Sequence, residues 1–488
     1  MISISIAATA HRWAIVDMYN AAPQCDLLEL RLDKLKRAPE LSLLLAARNR
    51  PVLVSCRRRE DGGEWDRSEE ARQTVLREAI TQGADYVELE VDIAHRIPRF
   101  GDTKRVISFT SMYPLKGDLD MVYERATGQD ADVVKLTAPT ATLDEAWPIL
   151  RAMAKPNVPV VAVGVGEPGL TLSLLGRKMG SPWIDAALEK GMEAHPGQAT
   201  VRDLEEVYCW RDINRQTPLV GVAGFTPQQK TTVRLMNAAF KYLGLDMRCL
   251  PMEVGDIGRF GRMMESLRVS AVILNEAYWG NIFSELSGSE EAAKLSRHAD
   301  IVIKQQEGWH GYSSLWRAAV YALEKKLPPR SDDGSPLKGR TVLLAGATSA
   351  ARALAYGIQK RGGLLMVTGP DSDRAHLLAQ MFQCRYVPLQ RSFDTMYDVL
   401  VAAPSELNAD GELQQNFDHA YLRANTTVLD LNEIPKVTHL LDEARARGAK
   451  TVDPMDVYLA QLVQRLRPLT GKDVPLDFLR QKLAEAEG

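Results

Sequence analysis

Cysteine is scarce in this chain, which has 5 such residues among 488. An odd number of isolated thiols does not support a disulfide framework. None of the spacings between them is typical of a zinc site. We therefore expect a protein of a reducing compartment, the cytoplasm, with no metal site. The five positions are Cys25, Cys56, Cys209, Cys249 and Cys384.

Long apolar runs and an excess of one charge sign are also missing. The first six residues alternate like a strand and lack the basic flank and apolar core of a signal peptide. No later stretch is long enough to span a bilayer. The formal net charge is −3, whereas nucleic acids and anionic membranes attract strongly basic proteins. We expect neither partner, and the sequence leaves the oligomeric state open.

The composition is that of a globular protein, with 45% apolar and 25% charged residues. A chain of 488 residues is too long for one ordinary core. Its first part contains eight short strand-like runs that alternate with helical stretches, which favours a (β/α)8 TIM barrel over an open sheet. The predicted strands are Ile2–Ala8, Leu27–Leu32, Val52–Cys56, Tyr86–Val91, Arg105–Phe109, Asp132–Leu136, Val158–Val163 and Trp183–Asp185.

Charged residues stand at the ends of several predicted strands. Glu29 and Arg31 lie on the second strand, Arg57 follows the third, and Lys135 lies on the sixth. In a TIM barrel these strand ends carry the chemistry. The arginines would bind a carboxylate and, together with burial, lower the lysine pKa, so that its amine can attack a carbonyl. The competing interpretation is a set of rim ion pairs around a lysine that reaches solvent.

Five segments of this region form a recognisable set: Glu29–Asp33, Ser55–Arg57, Gly62–Gly63, Val133–Lys135 and Ala194–Gln198. Together they resemble type I 3-dehydroquinate dehydratase. That family is a TIM barrel, and its lysine forms a Schiff base with the ketone of 3-dehydroquinate. A protonated imine stabilises the electron pair left when the adjacent carbon loses a proton, and water is then eliminated.

The resemblance assigns roles to the matching residues. It implies that Lys135 is the Schiff-base lysine and that Arg57 and Gln198 bind substrate. Glu29 and Arg31 would support the site.

Other positions depart from the family's pattern. Asp61 stands where the family usually has a glutamate. Thr110 takes the place of the general acid/base histidine, and threonine does not titrate near neutrality. Ser173 takes the place of a second substrate arginine, and Arg177, four residues later, is a candidate replacement.

From residue 218 onward three further segments form a set: Gly221–Gly224, Asn237–Phe240 and Leu243–Leu245. They resemble shikimate dehydrogenase, which some organisms fuse behind this barrel. The resemblance implies that Asn237 and Gln461 contact shikimate. Thr232 keeps one hydroxyl of the family's Ser-x-Ser pair, whose other position is Lys230.

The catalytic pair of the dehydrogenase family is missing. Its lysine corresponds to Ala277 and its aspartate to Leu315, and neither side chain can exchange a proton. We therefore expect no efficient oxidation of shikimate.

A strand, a glycine turn and a helix start follow one another at Thr341–Arg352, as in a Rossmann nucleotide-binding unit. The resemblance implies NADP, whose phosphates would meet the helix start. Thr348 and Ser349 replace family glycines, and Pro370 replaces the arginine that meets the 2′-phosphate. These changes disfavour NADP, and NAD or an empty structural domain are the alternatives. The candidate cofactor residues are Gly346, Thr348, Ser349, Arg352 and Asp371.

The predicted organisation has four parts: the barrel over 1–213, a substrate domain over 218–335, the Rossmann domain over 336–450, and returning helices over 451–488. The resulting hypothesis is a shikimate-pathway fusion protein that converts 3-dehydroquinate into 3-dehydroshikimate and is impaired in both activities, more so in the dehydrogenase. One alternative is a non-catalytic protein that binds a cyclic hydroxy or keto acid. The other is an imine-forming enzyme for another keto acid.

Overall fold

The computed structural model describes residues 1–115, 117, 119–155, 157–329, 334–405, 415–432 and 434–487. They form two compact units. Unit 1 comprises Met1–Asn237 and Asp246–Asp256, and unit 2 comprises Ala238–Leu245 and Ile257–Gly488. In the described parts of the chain, no helix combines the length and apolar character that crossing a membrane requires.

Unit 1 begins with an eight-stranded parallel barrel, as predicted. Neighbouring strands follow the order β7-β6-β5-β4-β3-β2-β1-β8. Each of the eight predicted strands is present, with ends shifted by a few residues. The elements are β1 (Ile2–Ile6), α1 (His11–Ala21), β2 (Leu27–Arg31), α2 (Leu41–Ala46), β3 (Val52–Ser55), α3 (Glu69–Thr81), β4 (Tyr86–Glu90), β5 (Lys104–Thr110), α4 (Asp120–Thr127), β6 (Val133–Pro139), α5 (Leu143–Met153), β7 (Val160–Val165), α6 (Leu170–Met179) and β8 (Ile184–Ala186).

The inside of the barrel changes from apolar to charged along the strands. Side chains two residues apart point to the same face of a strand. Leu27, Val133 and Trp183 belong to one buried apolar cluster that Tyr86 packs against. Two residues further along the same strands stand Glu29, Lys135, Asp185 and Glu88, all of which are buried or nearly so. The alternation thus places a layer of charged side chains inside the barrel, directly above a layer of apolar side chains.

The rest of unit 1 contains a parallel strand pair and a long helix that continues into unit 2. Leu219 is in register with Arg248 in this pair. The elements are β9 (Leu219–Ala223), α7 (Pro227–Tyr242) and β10 (Arg248–Met252).

Unit 2 contains a mixed group of strands and a doubly wound parallel sheet. In the first group β11, β13, β14 and β12 are neighbours in that order. In the second, the order β17-β16-β15-β18-β19-β20 is that of a Rossmann fold, as predicted. The elements are α8 (Phe260–Ser266), β11 (Val269–Ile273), β12 (Gly288–Ser289), α9 (Glu291–Ser296), β13 (Ile301–Gln305), β14 (Gly308–Tyr312), α10 (Leu315–Lys326), β15 (Thr341–Ala345), α11 (Ser349–Lys360), β16 (Leu364–Thr368), α12 (Ser372–Met381), β17 (Arg385–Tyr386), β18 (Val399–Ala402), β19 (Thr427–Asp430), α13 (His439–Ala446), β20 (Lys450–Thr451), α14 (Pro454–Thr470) and α15 (Leu476–Glu487).

Candidate active site in the barrel

A cavity of about 220 Å³ opens among the carboxyl ends of the barrel strands. Liquid water takes about 30 Å³ per molecule, so the cavity can hold a small organic ligand. Its wall includes six residues predicted from the sequence, which are Glu29, Arg57, Asp61, Thr110, Lys135 and Gln198.

Lys135 lies in the middle of β6 and is 1% exposed. Its Nζ is 2.8 Å from Asp185 Oδ2, 3.3 Å from Glu88 Oε2 and 3.8 Å from Glu29 Oε1. Three carboxylates from three other strands therefore surround one buried ammonium group. The alternative interpretation, a lysine that reaches solvent, is wrong.

The predicted direction of the lysine pKa shift is also wrong. Burial alone would lower the pKa of Lys135, but the negative charges of Asp185, Glu29 and Glu88 together raise it above its ordinary value. The sequence placed only Glu29 and two arginines near this lysine, so it predicted too much positive charge. At neutral pH the resting lysine is an ammonium ion.

Arg57 joins two of these carboxylates. Its Nη2 donates to Glu29 Oε1 at 2.6 Å, and its Nε donates to Glu88 Oε1 at 3.1 Å. The hydroxyls of Ser5 and Ser55 also donate to Glu29, at 2.6 and 2.9 Å. Burial would raise the pKa of Glu29, but the charges of Lys135 and Arg57 hold it well below its usual range. The positive charges of Lys135 and Arg57 thus keep Glu29 ionised.

The sequence interpretation missed Asp185 and Glu88. Both lie on strands that it predicted, two residues after Trp183 and Tyr86 respectively. The period of two along a strand, applied from these aromatic residues of the barrel interior, indicates that both carboxylates point inward.

Two buried polar atoms beside the cavity have no hydrogen-bond partner in the part of the chain that the structure describes. Gln198 is 7% exposed, and its Oε1 accepts from the Ala194 N–H at 2.7 Å. Its Nε2, like Asp185 Oδ1, is buried and has no hydrogen-bond partner among the described residues. An unpaired buried polar atom costs about 1–3 kcal/mol. One donor and one acceptor are therefore left for a ligand.

Three residues predicted near the site contact other parts of unit 1. Arg31 forms an ion pair with Asp33 at 2.8 Å, and the Ser173 hydroxyl accepts from the Gly164 N–H at 3.0 Å. Arg177 donates to the carbonyl oxygens of Ile213 and Arg211. The structure does not bring these three side chains to the cavity wall.

Two predicted shikimate contacts in unit 1 also have internal partners. The Asn237 amide donates to the carbonyls of Val207 and Cys249, and its oxygen accepts from the Cys249 N–H. Thr232 donates to the Gln228 carbonyl one helical turn earlier.

The third predicted shikimate contact, Gln461, lies in unit 2. Its Nε2 donates to Asp300 Oδ2 at 2.9 Å. Asp300 also accepts from the Ser314 N–H and hydroxyl and from the Leu315 N–H, and Arg465 Nη2 lies 3.8 Å away. Gln461 therefore belongs to a buried network within the protein.

The glycine turn that the sequence predicts between β15 and α11 is present. Gly346 has a φ of +114°, which favours glycine. The Thr348 hydroxyl accepts from the Ala351 N–H and caps α11, and the Asp371 carboxylate caps α12 in the same way. Arg352 and Arg374 line a cleft at the start of α11, with Thr348 and Ser349. Over the described residues, no group of His, Cys, Asp and Glu is arranged to hold a metal ion.

Comparisons with known proteins agree with this arrangement. Residues 2–215 match the family model described as type I 3-dehydroquinase. The chain is 24% identical over 482 residues to the chloroplastic bifunctional 3-dehydroquinate dehydratase/shikimate dehydrogenase of Arabidopsis thaliana, covering 94% of this chain and 80% of that protein.

Its second half is similar to shikimate dehydrogenases. It is 24% identical over 278 residues to the shikimate dehydrogenase (NADP(+)) of Aquifex aeolicus, covering 57% of this chain and all of that protein. A solved structure of dehydroquinate dehydratase and shikimate dehydrogenase from S. pombe AroM is 17% identical, covers 99% of this chain and 98% of that chain, and has a TM-score of 0.45. The predicted resemblance is confirmed: residues 2–215 match the type I 3-dehydroquinase model, and nearly the whole chain aligns with a dehydratase–dehydrogenase fusion.

Proposed function

We propose that the barrel is a Schiff-base dehydratase for 3-dehydroquinate, with Lys135 as the imine-forming residue. The observation that carries the proposal is a buried lysine on a cavity wall, 2.8 Å from Asp185. Beside it are two buried polar atoms that have no partner among the described residues. The family match of residues 2–215 supports the same chemistry. The ligand would be a cyclic hydroxy or keto acid.

The carboxylates around Lys135 suit an iminium ion. Lys135 first gives a proton to a neighbouring base, for which Asp185 is nearest at 2.8 Å. Its Nζ then attacks the ketone carbon, and loss of water gives a protonated imine. The positive charge stays at the same nitrogen, so charges that raise the lysine pKa also stabilise the iminium ion. Groups oriented in advance need no reorganisation during the reaction.

Substrate binding would use groups that the internal network leaves available. Arg57 binds the glutamates through Nε and Nη2, and we assign its third nitrogen, Nη1, to the substrate carboxylate. Gln198 Nε2 would donate to a ring hydroxyl. Asp61 also lines the cavity, where its carboxylate pairs with Arg58 at 2.6 Å.

Unit 2 would contribute little or no shikimate oxidation. Ala277 and Leu315 cannot transfer protons, and Gln461 is held by Asp300. Arg352 and Arg374 fit a phosphate-bearing cofactor at the start of α11, whereas Pro370 offers no donor to a 2′-phosphate. A bound NAD or NADP would supply the hydride acceptor. The four-part domain organisation predicted from the sequence, with boundaries at residues 213, 218, 335 and 450, is also part of this proposal.

The test measures 3-dehydroshikimate formation from 3-dehydroquinate by the ultraviolet absorbance of the conjugated product. We expect slow turnover by the wild type, none by Lys135→Ala, and wild-type turnover by Lys104→Ala, which removes an exposed lysine of the same barrel. Turnover that survives in Lys135→Ala would refute the proposal. In parallel, shikimate with NAD or NADP should give no reduced cofactor.

A further inference from the structure

The loop after β8 brings a histidine to the cavity. His195 lines the same wall as Lys135, Asp185 and Thr110. It is the one imidazole among the described residues that line this cavity. Histidine is the side chain best suited to exchange protons near neutral pH, and the position where the resemblance implies one holds Thr110.

The backbone fixes the tautomer of His195. Its Nδ1 lies 3.1 Å from the carbonyl oxygen of Pro196. A carbonyl oxygen only accepts hydrogen bonds, so Nδ1 carries the hydrogen. Nε2 of the neutral ring then holds the lone pair, which is the form that a general base requires.

The loop around His195 is tightly held. The Gly166 N–H donates to the Pro196 carbonyl at 2.9 Å. Gly197 has a φ of +81°, and a Cβ there would lie 2.1 Å from the Gly166 carbonyl oxygen. A side chain at Gly197 would therefore push the loop away, and the glycine lets His195 sit at a fixed place on the wall.

Three charged groups act on the ring: Asp185, Arg57 and Lys135. Burial is the largest influence. Together with the two cations it outweighs the hydrogen bond to the Pro196 carbonyl and the charge of Asp185, and lowers the pKa of His195 below its ordinary 6.5. The ring is therefore neutral at pH 7 and ready to accept a proton.

We propose that His195 is the proton-transfer residue of the barrel, the part that Thr110 cannot play. This inference rests on the proposed imine chemistry of Lys135. Nε2 takes a proton from the carbon next to the iminium ion, and the C–H electron pair becomes the double bond of an enamine. The same Nε2–H then protonates the departing hydroxyl. The C–O bond breaks, water leaves, and the iminium ion re-forms before hydrolysis frees Lys135.

The decisive variant is His195→Gln, which keeps polar contacts but cannot titrate. We expect dehydration, and exchange of the hydrogen next to the ketone in deuterium oxide, to slow by about 10²–10⁴-fold. Borohydride trapping of 3-dehydroquinate should still label Lys135, which shows that the variant folds and forms the imine. His95→Gln changes an exposed histidine of the same barrel and should leave every rate unchanged.

The pH profile and a rescue variant add independent readouts. The wild-type rate should fall as pH drops through a value below 6.5, where Nε2 becomes protonated, and His195→Gln should lose this dependence. Thr110→His in the His195→Gln background should restore part of the rate, because it supplies an imidazole on the same wall.

Two outcomes would overturn the inference. If the wild type forms the borohydride adduct and His195→Gln exchanges hydrogen at the wild-type rate with the same pH profile, His195 has no proton-transfer role while the dehydratase proposal stands. If the wild type forms no adduct at all, the dehydratase proposal and this inference both fail.

Discussion

The two units each bury a glutamine that the resemblance places next to a substrate, and the two glutamines differ in their partners. Gln461 gives its N–H to Asp300, whose oxygens also accept from Ser314 and Leu315. Gln198 Nε2 and Asp185 Oδ1 have no partner among the described residues. Because unpaired buried polar atoms are costly, their retention beside a cavity points to ligand binding. The Gln461 amide, by contrast, donates to Asp300 within the protein, and this internal partner points to a structural role.

Replacing Lys135 should have the largest effect. Lys135→Met would abolish imine formation and also remove the ammonium group that three buried carboxylates share. Removing one partner of a buried ion pair costs about 3–5 kcal/mol. We expect loss of activity together with a lower free energy of unfolding, measured by denaturant titration at pH 7. Wild-type stability in this variant would show that the charges do not interact as the distances indicate.

The same variant should change the acid response of the barrel. Burial raises the pKa values of Glu29 and Glu88, but the positive charges of Lys135 and Arg57 more than reverse this and lower both below the usual 4.5. Carboxylates with lowered pKa values stabilise the fold above pH 4.5, and this contribution is lost as pH falls through the lowered pKa. Lys135→Met should therefore reduce the loss of stability below pH 4.5. Equal acid responses in thermal unfolding would contradict this coupling.

Parallel truncation of the two glutamines tests the comparison between the units. Gln198→Ala should raise the KM for 3-dehydroquinate about tenfold, because a hydrogen bond to a ligand contributes about 1–1.5 kcal/mol. Gln461→Ala should leave this KM unchanged and lower thermal stability, because Asp300 loses a buried donor. Steady-state kinetics and calorimetry measure the two effects. A Gln461→Ala variant that changes KM and not stability would reverse our assignment.

The smallest effect concerns the cofactor. Pro370→Arg restores the arginine that shikimate dehydrogenases use to contact the 2′-phosphate of NADP. Charge-assisted hydrogen bonds of this kind contribute about 1.5–3 kcal/mol. We expect NADP to bind at least about tenfold more tightly to this variant, with no change for NAD, in calorimetric titrations of the full chain. An equal gain for NAD would mean that the introduced guanidinium acts on the shared pyrophosphate.

The fold was predictable because it follows from local patterns. Eight strand-like runs alternating with helical stretches indicated the barrel, with strand ends correct to within a few residues. A strand, a glycine turn and a helix start indicated the Rossmann unit. Lys135, Arg57, Glu29 and Gln198 were predictable because motifs mark them.

The remaining site features depend on distant segments. Asp185 and Glu88 approach Lys135 only when β4, β6 and β8 close into one barrel, so no local pattern around the lysine indicates that its pKa is raised. Ser173 was assigned to the substrate site because of its position in a family motif. Packing decides whether a residue on a helix faces the cavity, and the motif does not show this. The wall position of His195 likewise depends on how the loop after β8 is held against Gly166.

The central claim is that Lys135 forms an imine, and borohydride trapping tests it most directly. The full chain is incubated with 3-dehydroquinate and borohydride, and the masses of the intact protein and of its proteolytic peptides are measured by mass spectrometry. The account predicts one reduced adduct, located on Lys135, absent from Lys135→Ala and present in Lys104→Ala. No adduct on the wild type, or an adduct that persists in Lys135→Ala, would contradict it.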